Sequence, residues 1–470
     1  MNGRKLNLDD RSSKNLYIQI YETIKGDIIS GAMPKGSKLP SLRRLAEDNG
    51  ISVTTVETAY DQLLVEGYIE SRPKSGYYVS DRIEPQGEEG GAEKSEDSLE
   101  DLLAGEAATG GHDMSIIYDE ESFDFSKWKK CMNRVFNEYS HVLMTEADVQ
   151  GEPALRYEIA KYLLNSRGVK CSPERIVVGA GSQQLTKHLI RILRRIGIRN
   201  VATETPGYGP IREVFSEDGF LLSRIPVNED GIEIEKLPIN MRSLVCVSPS
   251  NHLPSGAVMP IGRRYELIKW ASENDSYIFE DDYDSELRYF GRPIPALSGI
   301  DRSGRVIYLG SFSSTLFESI KISYMVLPEE LMTIYDEIKD RYGQTCSKSE
   351  QICLALYMEE GHYYRHNKKL RRLYASKLDT TMKLFEKEGS DRIEAVNSQS
   401  GMTVMLRVKT DLTADRICSV AETLGLMMRP VDDLCTDEVK VVSFYFYRVS
   451  EALLTLLIKM FVKKIKNAKA

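Results

Sequence analysis

A chain of 470 residues, 41% hydrophobic and 28% charged, is too long for one core and has the composition of an ordinary water-soluble protein, so two or more domains are expected. The net charge is −8, and no apolar run approaches the roughly 20 residues of a membrane span. Seven scattered cysteines without a C-x-x-C spacing argue against a disulfide framework or a zinc site. With no secretory signal in "MNGRKLNLDDRSSKNLY", the expected location is the cytoplasm.

In "NLYIQIYETIKGDIISG", Tyr17, Ile20, Tyr21, Ile24 and Ile28 recur at helical spacing, which predicts a helix stopped by Gly31 and Pro34. Ser41 is placed to cap a second helix, with Leu42, Leu45 and Ala46 inward and Gly50 at its end. Ser52 is placed to cap a third, whose buried face is Val56, Ala59, Tyr60, Leu63 and Leu64. "YIESRPKSGYYV" then reads as a two-stranded wing, giving a winged helix-turn-helix. Ser52, Thr54 and Thr55 sit at the N-terminus of the third helix, the end that enters a major groove and favours phosphate. Lys38, Arg43 and Arg44 before it, and Arg72 and Lys74 in the wing, are positioned to meet backbone phosphates of double-stranded DNA.

The charge is unevenly distributed. Residues 1–80 hold 11 Lys+Arg and 10 Asp+Glu, residues 81–113 hold 2 and 11, and the rest hold 49 of each. The acidic stretch is rich in Gly, Glu, Ser and Asp and cannot bury enough apolar surface to offset its ordering entropy. It reads as a flexible linker over 83–113, with a short helical turn at "SLEDLLAG", between a DNA-binding domain at 1–82 and an effector domain at 114–470.

From residue 114 onward, apolar runs alternate with helical periods, the pattern of an α/β protein. "RIVVGAG", "RNVATETPGYG", "RSLVCVSPS", "SYIFEDDYD" and "RVIYLGSFS" are strands whose carboxyl ends carry the unusual residues, where open α/β sheets bind ligands. "GAGSQQ" places Gly181, Ser182 and Gln183 at a helix N-terminus, a phosphate seat that is a weak signal by itself. Glu280, Asp281, Asp282 and Asp284 suggest a metal site, but side chains that alternate at a strand end do not converge, so none is expected.

The first module, "PSLRRLA…GIS…TV…AY…EGYI…SGYYV", resembles the GntR-type winged helix. That family usually has a basic residue after the turn serine, where this chain has Val53. The substitution leaves two alternatives, an apolar base contact or a greater reliance on the other cations. The second module, through "TPGYGPIREVF", "SPSNHLPSGAVMP", "YIFEDDYDSELRY" and "GSFSSTLFESIKISYMVLP", resembles fold-type I aminotransferase-like domains. The fusion is the arrangement of MocR-type transcriptional regulators. It implies a large α/β domain with a smaller C-terminal α+β subdomain, and a homodimer.

The resemblance also assigns roles. It makes Tyr208 the aromatic that stacks on the pyridine ring of pyridoxal phosphate, Asp281 the partner of the ring nitrogen and Tyr283 the phenol on the ring oxygen. Ser311 and Ser313 become phosphate-cup hydroxyls, and Lys321 takes the place of a phosphate-binding arginine. Asn251 lies where relatives commonly have histidine, and Arg448 is the nearest cation to the expected substrate-carboxylate arginine. Ser314 stands where the family's cofactor-anchoring lysine belongs. A hydroxyl cannot make that covalent link, so pyridoxal phosphate is not expected as a Schiff base at Ser314, and no catalytic residue is assigned. The expected function is a regulator that senses a small ligand without turning it over; the ligand is non-covalent pyridoxal phosphate, its amino-acid adduct or another anion. The alternatives are a working aminotransferase with a DNA-binding appendage and a purely structural dimerisation domain.

Overall fold

The computed structural model describes residues 5–6, 15–73, 75–81, 122–289, 294–389, 391–396 and 401–468. Lys74, the segment 83–113 and its expected helical turn lie outside the described residues. The chain divides into two compact units, each with its own core.

The first unit contains helices α1 (Leu16–Ile29), α2 (Leu42–Asn49) and α3 (Val53–Val65), then strands β1 (Ile69–Arg72) and β2 (Gly76–Val79). Ile20, Ile24 and Ile28 of α1 pack with Leu45, Ala46, Val56, Ala59, Tyr60 and Leu63, while Leu64 is only partly covered. Both expected caps form: Ser41 Oγ accepts from the Arg44 N–H at 3.4 Å, and Ser52 Oγ accepts from the Thr55 N–H at 3.1 Å. Gly50 ends α2 in the left-handed region at φ 69°, which sets the tight turn into α3. The wing is an antiparallel hairpin with Ile69 opposite Val79 and Arg72 opposite Gly76.

The second unit begins with α4 (Phe125–Glu138), α5 (Pro153–Arg167), β3 (Ile176–Gly179), α6 (Ser182–Arg195), β4 (Asn200–Thr205) and α7 (Gly209–Glu217). Next come β5 (Leu221–Asn228), β6 (Gly231–Ile232), β7 (Ser243–Val247), α8 (Ile261–Glu273), β8 (Tyr277–Asp281) and α9 (Leu297–Ile300). They are followed by β9 (Val306–Ser311), β10 (Ser323–Val326), α10 (Glu329–Asp336), α11 (Lys348–Glu359) and α12 (His362–Gly389). Eight strands form one mixed sheet in the order β3-β10-β9-β8-β7-β4-β5-β6. β4, β5, β7, β8 and β9 run parallel, whereas β10 is antiparallel to both β3 and β9. Ile176 and Val178 pack with Leu155, Ile159 and Leu163 of α5, while Val177 packs with Leu185 and Leu189 of α6. Burial on both faces explains why these strands read as apolar runs.

The chain ends in a smaller layer of β11 (Ile393–Val396), β12 (Val404–Lys409), α13 (Ala414–Glu422), β13 (Met428–Pro430), β14 (Val439–Phe444) and α14 (Glu451–Asn467). Its antiparallel sheet, β11-β12-β14-β13, packs Leu406, Val408, Val442 and Phe444 against Phe385 of α12, Ile417 of α13 and Ile458 and Phe461 of α14. The architecture is a winged helix followed by a fold-type I α/β domain with a C-terminal α+β subdomain, as expected. Among the described residues no helix is long and apolar enough to cross a membrane.

Candidate functional site

In the winged helix, Val53, Thr54, Glu57, Thr58 and Asp61 form the exposed face of α3. Thr55 is half-buried, with its hydroxyl 2.7 Å from that of Ser52, so it joins the cap. Arg43 and Arg44 are exposed beside this helix, and Arg44 also lies 3.9 Å from Asp48. In the wing, the Arg72 guanidinium lies 4.4 Å from the Tyr78 ring and Lys38 Nζ 5.7 Å from it, while the Ser75 and Tyr78 hydroxyls are 2.6 Å apart. The sequence reading missed Tyr78 as the organiser of the two cations, and missed Glu57 and Thr58. The i, i+3, i+4 pattern from Thr54 carried the signal for those two.

The topology of the large sheet brings the second set together. β3 and β9 both pair antiparallel with β10, so Gly179 and Ser311 flank Ser323 at one edge. The carboxyl ends of β3, β4, β7, β8 and β9 therefore open on the same side. Gly181 sits at φ 91° before α6, where a Cβ would meet no atom within 4 Å but would demand a conformation that side chains resist. No side chain caps α6, so its first-turn N–H groups face outward. Tyr208, 42% exposed, stands beside Ser182 over the same end of the sheet. Gln183 is less committed, its amide 3.5 Å from the Pro210 carbonyl.

The acidic run on β8 goes four ways. Glu280 accepts from the N–H groups of Leu297 and Ser298, at 2.7 and 2.9 Å, and so caps α9. Asp282 takes two bonds from Arg167, at 2.7 and 3.0 Å, and others from Tyr308 and Ser285, so its carboxyl is held below the usual range despite burial. Asp284 accepts from Asn251 Nδ2 at 2.7 Å, and the same amide lies 3.4 Å from the Tyr283 hydroxyl. Asp281 alone has no donor or cation on it among the described residues, and burial raises its carboxyl to about 7. An acid left in that condition suits a cationic ring nitrogen.

The loop after β9 is ordered by its own hydroxyls. Ser311 Oγ accepts from the Ser313 N–H at 3.3 Å and from Ser323 Oγ at 3.1 Å. Ser314 Oγ donates to the Tyr283 carbonyl, which ties this loop to the one after β8. Thr315 is fixed by the Tyr363 hydroxyl at 2.9 Å and by His366. Lys321 is exposed and in the left-handed region at φ 47°, strain of a kind that clusters at functional sites. Arg448 is already engaged: its Nη2 lies 2.7 and 2.5 Å from the two oxygens of Glu318, and Tyr447 donates to the same carboxylate at 2.6 Å. Sequence reasoning also missed Gly401, where a Cβ would fall 2.2 Å from Asn251 Nδ2 and 2.9 Å from Asp284 Oδ2.

These groups fit pyridoxal phosphate in kind. They comprise uncapped helix N–H groups with serine hydroxyls for a phosphate, an exposed tyrosine for a ring and an unpaired buried carboxyl for its nitrogen. Cys131, Glu360 and His362 also bring ligand atoms within 4.8 Å of one another. Arg134 and His362 occupy Glu360, and Arg365 donates to His362 Nδ1, so these contacts already satisfy the cluster.

Fold and site together define a helix-turn-helix DNA-binding protein built on an aminotransferase-like domain. Residues 16–79 match the bacterial regulatory proteins of the gntR family, and residues 117–453 match aminotransferase class I and II. The chain is 36% identical over 462 residues to the HTH-type transcriptional regulator YdeL of Bacillus subtilis (strain 168), covering 96% of each. It is 33% identical over 439 residues to the probable rhizopine catabolism regulatory protein MocR of Rhizobium meliloti, covering 90% of this chain and 88% of that one. The crystal structure of Pyrococcus horikoshii kynurenine aminotransferase, in complex with PMP, superposes with a TM-score of 0.65 at 22% identity, over 76% of this chain and 90% of that one, which shows the fold. The chain belongs to the MocR-type transcriptional regulators of the GntR family.

Proposed function

We propose that this regulator binds operator DNA as a cytoplasmic homodimer, and that its aminotransferase-like domain reads a small anionic ligand without transforming it. The observation that carries the reading is Ser314, whose hydroxyl is committed to the Tyr283 carbonyl where an amine would be needed. Lys321 lies seven residues on, exposed and beyond the turn, which favours phosphate contact over substitution for the anchor. The domain division is 1–82 for DNA, 83–113 as tether and 114–470 for the ligand.

Each side chain then has a task. The α6 N-terminus with Ser182, Gln183, Ser311, Ser313 and Lys321 neutralises the ligand's phosphate. Tyr208 covers the ring, Asp281 holds a proton on its nitrogen, and Tyr283 with Asn251 contacts its oxygen. When bound, pyridoxal phosphate supplies an electrophilic carbonyl and an electron-withdrawing ring. Ser314 offers that carbonyl no amine, so retention without turnover follows. Ligand and operator affect one another only through different affinities of two states of the protein.

The test is an absorption titration with pyridoxal phosphate, with and without borohydride, on the unmodified protein and on Ser314→Lys. A borohydride-stable adduct confined to Ser314→Lys is the expected result. An adduct of equal yield in the unmodified protein would defeat the reading and reopen the aminotransferase alternative.

A further inference from the structure

Outside both sites, the N-terminal half of α12 presents a strongly charged surface. Residues 361–378 hold six cations and no carboxylate, in a module whose totals of positive and negative side chains balance. The helix buries Tyr363, His366, Asn367, Leu370 and Tyr374 along one stripe. The opposite stripe presents Arg365, Lys368, Lys369 and Arg372, all exposed at spacings of three, four and seven, and therefore neighbours on the surface. Tyr364 stands among them at 73% exposure.

The start of α4 borders the same surface. The Phe123 ring lies 5.1 Å from that of His366, and Asp124 feels the charges of both Lys127 and Lys369. Asp124 is one acid against this face. Glu360, just before the helix, is spent on Arg134 and His362. Arg371 turns its Nε to the Glu286 carbonyl, and Arg365 bonds the Glu360 carbonyl. Among the described residues no carboxylate pairs with Lys368 or Arg372. Like charges at i and i+4, such as Lys368 with Arg372, weaken a helix unless something external neutralises them.

We propose that this face of α12, with Lys127 beside it, is a second contact for the phosphate backbone of double-stranded DNA, separate from the winged helix. A row of cations with an interleaved aromatic and no reading groups suits a polyanion contacted without sequence preference. The inference rests on the DNA-binding reading, because a duplex already held by the winged helix turns a weak second contact into an intramolecular one.

The experiment measures binding of the full chain to a random-sequence duplex several helical turns long, over a series of salt concentrations. It compares the unmodified protein, a K368Q/K369Q/R372Q variant and a charge-matched control, K387Q/K459Q/K463Q. All three control lysines are exposed and lie elsewhere on the domain. Loss of three phosphate contacts should make the slope of log K against log salt shallower by about 2 to 3 for the α12 variant. Its affinity should fall at least tenfold at low salt, with the control near the unmodified value and far-ultraviolet dichroism unchanged in both. An unchanged slope, or an equal loss in the control, overturns the proposal. Tighter binding by the α12 variant also overturns it, and assigns the face instead to the chain's own acidic stretch at 81–113. If the unmodified protein binds no duplex while the ligand titration succeeds, the DNA-binding reading fails first, and this inference with it.

Discussion

The two modules handle charge in opposite ways. In the winged helix the cations proposed to meet DNA are exposed and only loosely held, as with Arg44 and Asp48 at 3.9 Å. In the large domain the acids at the ligand end are buried, and burial raises Asp281 to about 7, Glu286 to about 7 and Glu204 to about 8. Recognition at the first surface costs the fold little, because solvent already screens those charges. Recognition at the second is prepared by Asp281, which the folded chain holds at a loss until a ligand satisfies it, whereas Glu286 and Glu204 already accept from Tyr162 and the Ser248 N–H.

Breaking a buried pair should have the largest effect. Arg167→Ala leaves Asp282 without its guanidinium and removes bonds to Ser250 and the Ile294 carbonyl. A loss of about 3–5 kcal/mol in the large domain's unfolding transition is expected, read by urea denaturation followed through the tryptophans, both of which lie in that domain. A loss under 1 kcal/mol would mean the strand end relaxes around Asp282 and the contrast between modules is overstated.

Asp281→Asn sharpens the comparison, because its stability effect runs the other way. The folded protein holds a proton on Asp281 up to about pH 7, whereas the unfolded chain releases it near pH 4. Across that window the folded state binds more protons, so its stability falls as pH rises and stays reduced above it. Removing the carboxyl should therefore raise stability at pH 8, by at most about 4 kcal/mol, and change little at pH 4. The same variant should lose affinity for pyridoxal phosphate. Thermal unfolding at the two pH values, with and without ligand, checks both. Destabilisation at pH 8 would mean that a cation from outside the described residues pairs with Asp281. Glu204 and Glu286 should leave part of the pH slope in place.

The sequence was most legible where function and local structure use the same signal. Ser41, Gly50 and Ser52 delimit helices through their own backbone preferences, so the turn and the recognition helix could be placed before any tertiary contact was known. Strand ends such as "YIFEDDYD" were equally readable, since apolar runs buried on both faces stop where polar residues begin. What the residues alone could not show was where each carboxylate goes, the resemblance having singled out only Asp281. Glu280, Asp281, Asp282 and Asp284 look alike in sequence, and their roles depend on Arg167, Asn251 and the α9 N-terminus, up to 115 positions away. Gly401 was missed for the same reason, since its closeness to Asn251 is a long-range packing fact. Arg448 is in sequence only the nearest cation to the expected carboxylate site, and Glu318, 130 positions earlier, gives no local sign of reaching it.

The smallest predicted effect separates recognition from stability within the winged helix. Ser52→Ala removes the hydroxyl that accepts from the Thr55 N–H, and should cost about 1 kcal/mol of that module's stability. Arg43→Gln removes an exposed cation with no structural partner among the described residues, and should leave stability within about 0.5 kcal/mol. It should nevertheless lower the salt slope of DNA binding by about 1. If Ser52→Ala weakens DNA binding only in proportion to its loss of fold, the cap positions α3 and does not touch phosphate. If binding falls further than stability, the hydroxyl itself faces the backbone. If Arg43→Gln leaves the salt slope intact, α2 does not approach the duplex, and the remaining described candidates for positioning α3 are Arg44, Lys38 and Arg72.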